Sequence, residues 1–192
     1  MLNWEARQLL AAWRAAKGDR EVPQRAGIDP VSLGAALPAV FLLDSLSADQ
    51  LRIRLAGSPL CALYGRELRG SNFLEFWRGD CRRTVRALIP NLLAMPAAGI
   101  LDTRVELLSG PAIDMSVFLL PLADDQGEPT LLIGTANPGP RILSSGDAPV
   151  VRQMLRGIRL LDPDQPGPAA AEDTGAPGIL LRFPHRRPTL VG

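Results

Sequence analysis

Residues able to carry covalent or metal chemistry are few in this chain, and their spacing argues against an active centre. There is one histidine, His185, and there are two cysteines, Cys61 and Cys81. A structural zinc site draws four nitrogen or sulfur ligands together at motif spacing, which this inventory does not supply. Haem ligation by histidine is equally poorly served, because His185 stands in a proline-flanked basic stretch near the C-terminus. The cysteines follow no redox spacing and read as free thiols. Asp102, Glu106 and Asp114 could pair for proton transfer, but each alternates with apolar neighbours, the mark of a solvated strand face. No Gly-x-Ser-x-Gly elbow, phosphate loop or dinucleotide fingerprint occurs. The expectation is a binding protein, not an enzyme, and one without a metal site.

One group of charges could act together. Arg25, Asp29, Asp44, Arg52 and Arg54 are expected to lie near one another once the first hairpin forms. They could tie the N-terminal extension to that hairpin through ion pairs. Alternatively, the arginines could receive a carboxylate or a phosphate. The structural reading is preferred, since exposed pairs are common and individually weak.

Composition sets the outer bounds. The 192 residues are 46% hydrophobic and 21% charged, enough for one good core, with a formal net charge of +1. That balance leaves no electrostatic footprint for nucleic acid, and an aromatic content of 5% offers no base-stacking platform. No run reaches the roughly 18 uncharged apolar residues read as a membrane helix. The opening MLNWEARQLL places Glu5 and Arg7 where a signal peptide needs unbroken apolar residues, so the cytoplasm is the expected compartment.

The positioning elements follow from periodicity and turn chemistry. Leu2, Ala6, Leu9, Leu10 and Trp13 recur at helical spacing before Gly18, predicting an amphipathic helix over 2–17. Pro23, Pro30 and Pro38 break the next stretch, in which Asp29 can cap a short turn over 31–36. Val40 to Asp44 suits a buried strand. Leu51-Arg52-Ile53-Arg54-Leu55 alternates strictly, predicting three aliphatics on one face and both arginines on the other. Residues 45–50 join the two as a hairpin. Ser58 with Pro59 opens a short helix to Tyr64, and Ser71 or Asn72 caps another over 73–77. Asp80 opens a longer helix in which Pro90 marks a kink or an end. Strands are predicted over 100–108, 113–122 and 130–136, with turns at Ser109-Gly110-Pro111 and Asp124-Asp125-Gln126-Gly127.

Beyond Asn137, proline and glycine become dense, and 138–192 reads as a largely disordered tail. Within it Val151, Met154, Leu155 and Ile158 share a helical face, predicting a short basic helix over 150–161 that displays Arg152, Arg156 and Arg159. Phe183-Pro184-His185-Arg186-Arg187 reads as a solvated basic end.

Read in order, several short motifs resemble a bacterial PAS-like domain family common in alphaproteobacteria. They are Trp13, Pro23-Gln24-Arg25, Ile28-Asp29-Pro30, Leu37-Pro38 with Phe41-Leu42-Leu43-Asp44, and Arg52-Ile53-Arg54-Leu55-Ala56-Gly57. Leu60-Cys61, Tyr64-Gly65-Arg66-Glu67-Leu68, Gly70 and Leu120-Pro121-Leu122 continue the match, which spans about 3–136. The resemblance implies an α+β fold: a five-stranded antiparallel sheet in spatial order 2-1-5-4-3, with helices over one face. Residues 1–38 would form the N-terminal helix and extension, and 39–137 the PAS-like core.

The same resemblance implies a regulatory module in bacterial signalling that senses a small ligand, docks a protein partner, or both. The alternative is a structural or localisation adaptor with a filled core and no ligand. A ligand would lie between sheet and helices, within reach of Phe41, Ile53, Leu55, Leu60, Tyr64, Phe73, Trp77, Val105, Met115, Val117 and Leu132. Those residues would equally serve as plain core, which is the preferred reading, with Tyr64 the polar contributor to a pocket. The light-sensing branch of the fold places a cysteine directly after Gly-x-Asn. Here Gly70-Ser71-Asn72 leads into Phe73, so a flavin–thiol adduct is not expected and the cofactor stays unassigned. Trp4 and Trp13 are read as lying off the helix face that carries Leu9. This predicts a homodimer through the N-terminal helix and the open sheet face, besides an unidentified signalling partner. The alternative is a helix folded wholly onto its own domain.

Overall fold

The computed structural model describes residues 2–138 and 149–165. A six-stranded antiparallel sheet runs through it, built from β1 (Val40–Ser47), β2 (Gln50–Ala56), β3 (Ala98–Leu107), β4 (Ile113–Leu122), β5 (Leu131–Asn137) and β6 (Val150–Leu161). Their spatial order is β2-β1-β5-β4-β3-β6, so the expected 2-1-5-4-3 arrangement is present with one strand added at the β3 edge.

Helices cover both faces. On the outer face lies α1 (Trp4–Lys17), capped by Asn3, whose side chain accepts from the Ala6 amide at 2.8 Å, and ended at Gly18 with φ of 55°. Its residues Ala6, Leu9, Ala12 and Trp13 pack with Ile100, Phe118, Leu120 and Ile133 of the sheet. Leu9 and Trp13, four residues apart, share this buried face, which corrects the expectation that they diverge. Trp4 stays 43% exposed. Asp29 caps α2 (Pro30–Leu33) as expected, accepting from the Val31 amide at 2.9 Å, and a 3-10 turn, Gly34–Ala39, leads into β1.

The inner face is roofed by α3 (Ser58–Leu63), a 3-10 turn at Phe73–Phe76 and α4 (Gly79–Ala94). The cap of α3 is Gly57 and not Ser58, one residue earlier than its sequence suggested. Alanine would suit the φ of –65° at Gly57, but a Cβ there would meet the Pro38 carbonyl, so glycine is required by close approach. Asn72 caps the 3-10 turn and also receives the Leu51 amide at 3.1 Å, fastening the roof to β2. Pro90 neither ends nor breaks α4, because Leu88, Ile89 and Leu92 are buried around it. Packing of that face offsets the hydrogen bond that proline removes.

Two sequence expectations fail for one reason, the β-bulge. In β2, Leu42 opposes Leu55 while Leu43 opposes Ile53, so Arg54 is an extra residue. The bulge turns Leu55 out of the inner face, and it stands 50% exposed. In β6, the pairing with β3 skips twice, at Arg156 and at Val151. Two extra residues within one strand convert a period of two into an apolar spacing that imitates a helix. The predicted basic helix is therefore a strand, and the sheet continues past the boundary at 137. The basic end at 183–187, with His185, and most of the predicted disordered segment lie outside the described residues.

Candidate functional site

Between the inner sheet face and its helical roof is a cup. Phe41 comes from β1, Ile53 from β2, Val105 from β3, Met115 and Val117 from β4, and Leu132 from β5. Leu60 of α3, Tyr64 just beyond it, and Phe73 and Trp77 close the other side. Ten of the eleven residues expected at a pocket thus converge here, and Leu55 alone does not. The aromatic rings touch one another: Phe41 stacks on Phe73 with centroids 5.9 Å apart, Tyr64 on Phe76 at 4.4 Å, and Trp77 meets Phe73 edge-on at 6.1 Å. Such contacts add roughly 0.5–1.5 kcal/mol per pair beyond burial.

The cup has a polar seam that the sequence did not disclose. The Tyr64 hydroxyl donates to Gln153 Oε1, and Gln153, on β6, is only 3% exposed. Desolvation pushes the Tyr64 phenol well above its ordinary value, against a smaller lowering from Arg66, so it remains a protonated donor. The Trp77 backbone bridges to Gln153 in parallel fashion. Trp77 itself is 1% exposed, and among the described residues its Nε1–H has no hydrogen-bond partner. Gln153 was missed because 150–161 read as a helix. Gly157 was the available signal, since glycine is costly inside a helix and common at a bulge.

The charged cluster divides. Asp44 accepts from Arg52 at 2.9 Å and lies 3.8 Å from Arg54, so these three meet within the first hairpin. Arg25 pairs instead with Asp125 in the β4–β5 turn at 3.6 Å, and Asp29 is committed to its cap. The extension is tied down by backbone: the Arg25 amide donates to the Ala123 carbonyl at 2.9 Å, and the Ala123 amide to the Pro23 carbonyl at 2.9 Å. The separation follows from β4, whose end attracts Arg25 away from the hairpin. Asp102 and Asp114, weighed as acid–base partners, are each paired with an arginine, Arg159 and Arg104, at 3.0 Å.

Cys61 and Cys81 are both half-buried free thiols, and Cys61 faces the Glu67 carboxylate at 3.7 Å. Phe73 is 5% exposed and takes part in the ring cluster, leaving no thiol at the position after Asn72. Among the described residues no three metal-ligating side chains gather, and no helix is long and apolar enough to cross a membrane. Two surface depressions lie away from the cup. One of about 460 Å³ is lined by Arg20, Val22, Gln24, Leu93 and Pro129, and one of about 330 Å³ by Asn3, Asp102, Asp114, Asn137 and Arg156 on the outer face.

Comparison with known proteins bears on this architecture. A family model described as PAS domain matches residues 1–137. No curated protein matches the sequence. Among solved structures, the chain is similar to a LOV protein from Rhodobacter sphaeroides at 19% identity, covering 76% of this chain and 73% of that one with a TM-score of 0.38. It is also similar to the light-state LOV domain of the blue-light photoreceptor Aureochrome1, at 18% identity, 54% and 82% coverage, and a TM-score of 0.36. A fungal LOV domain photoreceptor gives 20%, 53% and 75%, and 0.37. The match over 1–137 takes in the first five strands and the whole helical roof of the cup, and the chain belongs to the PAS domain family of sensory and regulatory modules.

Proposed function

We propose that the chain reads a small ligand in its cup and passes the bound state to a protein partner by population shift, without bond chemistry. The observation that carries this reading is the buried Trp77 Nε1–H, without a hydrogen-bond partner among the described residues, within a mainly apolar and aromatic cluster. Leaving such a donor unmet costs roughly 1–3 kcal/mol, which a ligand bearing an acceptor atom recovers. Tyr64 is already committed to Gln153, so Trp77 is the donor on offer. The expected ligand is small and mainly apolar, with one acceptor oxygen or nitrogen. The module acts in the cytoplasm as a homodimer, and the exposure of Trp4 on α1 supports contact with a second copy.

One observation favours the adaptor reading: Phe41, Phe73, Phe76 and Trp77 already occupy the cup with mutual ring contacts. Native mass spectrometry of the purified full chain separates the two, joined to a thermal-shift screen. The ligand reading expects a retained or stabilising small molecule whose effect falls by at least about tenfold in affinity in Trp77→Phe, as for loss of a buried hydrogen bond. A chain that retains nothing and is stabilised by nothing is the adaptor. Equal binding by Trp77→Phe would remove Trp77 from the site.

A further inference from the structure

We propose that Gln153 and Trp77 together receive one neutral carbonyl oxygen, so that the ligand class of the cup is an apolar ketone or ester and not a carboxylic acid. This rests on the ligand reading above and names the chemistry that the cup would select.

The two side chains are neighbours. Trp77 and Gln153 form an isolated parallel bridge, and paired residues of adjacent strands project to the same face. Gln153 also lies opposite Val105, one of the cup residues, so the shared face is the inner one. The β6 pairing skips Val151 and Arg156, one on either side of the short stretch that carries Gln153. Bulges re-aim the side chains next to them, and here the residue turned into the cup is a carboxamide. It comes from a strand outside the family match, which ends at residue 137.

The groups left unused decide what this wall can receive. Thr103 Oγ1 is spent on the Met115 carbonyl at 2.8 Å. Tyr64 donates to Gln153 Oε1, and burial keeps the phenol protonated, so that end of the amide is fixed as the acceptor. The other end is Nε2, a donor, and among the described residues no acceptor meets it. Trp77 Nε1–H is likewise unmet. Both open groups are donors. A carbonyl oxygen has two lone pairs and takes both at once, whereas an aromatic ring nitrogen has one. Charge then separates neutral carbonyls from acids. No lysine or arginine is buried among the described residues, and Arg66, which lies over the Phe76 ring, is exposed. A carboxylate drawn into the cup would meet no buried cation, a penalty that a ketone or ester avoids.

Matched probes test this on the full chain: acetophenone against benzoate, and methyl hexanoate against hexanoate, titrated at neutral pH by ligand-observed NMR. The neutral member of each pair is expected to bind about a hundredfold more tightly than the acid. Gln153→Leu should weaken the neutral probe about tenfold and narrow its lead over the acid. Tyr64→Phe leaves Gln153 in place but frees its amide to turn, and should cost the neutral probe about threefold. Should Gln153→Leu fail to fold, as judged by circular dichroism, Tyr64→Phe carries the test. An acid bound as tightly as its neutral counterpart overturns the assignment, as does an unchanged neutral-to-acid ratio in the folded variants. Failure of both neutral probes to bind overturns it too. In that case a different molecule retained by the unsubstituted chain in native mass spectrometry leaves the ligand reading standing, while a chain that retains nothing removes both.

Discussion

At the residue scale, Asp124 shows how one side chain holds a turn. Its carboxylate accepts from the Gln126 amide at 2.9 Å, the Glu128 amide at 3.0 Å and Thr130 Oγ1 at 2.9 Å. Desolvation is the largest single influence and pushes its pKa up, but the bonds from Thr130 and the turn amides together hold the carboxyl below its ordinary value. A carboxyl whose folded value is depressed stabilises the fold fully above its unfolded value, near about 3.9. That contribution fades as pH falls through the lower folded value. The stability gap between the wild type and Asp124→Ala is therefore expected to be full at neutral pH and to close in acid. Urea denaturation across the acidic range checks it, and a gap independent of pH would show that the carboxylate's charge plays no part. The turn itself was legible from Asp124 and Gly127. The position of Leu55 was not, because an extra residue in β2 depends on how β1 pairs with it.

At the scale of elements, the sheet and the cup meet at Gly134. This residue of β5 lies opposite Phe41 of β1, and an added Cβ would sit 2.5 Å from Phe41 Cζ and 2.5 Å from the Phe118 carbonyl oxygen. The Phe41 ring therefore rests on bare backbone, which orients it toward Phe73. Gly134→Ala is expected to cost about 1–3 kcal/mol by overpacking. Phe41→Leu in the same chain should recover part of that cost, while Phe41→Leu alone destabilises. Chemical denaturation of the four proteins forms a double-mutant cycle, and strict additivity would place the strain elsewhere. Strands β3, β4 and β5 were legible as apolar runs of strand length bounded by turn residues. The two bulges of β6 erased the period that would have marked a strand there.

On the scale of the whole molecule, one sheet serves two cores. The inner cluster holds the cup, and the outer one holds α1, anchored where Trp13 Nε1 donates to the Pro121 carbonyl at 2.7 Å. Because strands β1, β3, β4 and β5 contribute to both clusters, neither layer should unfold alone. Trp13→Ala, which empties a fully buried site, is expected to cost about 3–5 kcal/mol. The roof around Trp77 should melt in the same transition as the rest of the molecule. Circular dichroism and tryptophan fluorescence test this by coincidence of their melting curves. Two separated transitions would make α1 an independent layer.

Caps, turns and simple alternation were determined by the sequence itself. Asp29 and Asp124 act on groups within a few positions of themselves, as Asn72 does in capping its own turn, so those effects are written in adjacent letters. Only the tertiary structure decided that Leu55 faces outward, that 150–161 is a strand, and that Gln153 meets Tyr64 while Trp77 is left with an unmet donor. Those outcomes turn on which sheet edge stands open to receive a segment's backbone groups. That edge is assembled by residues far away along the chain.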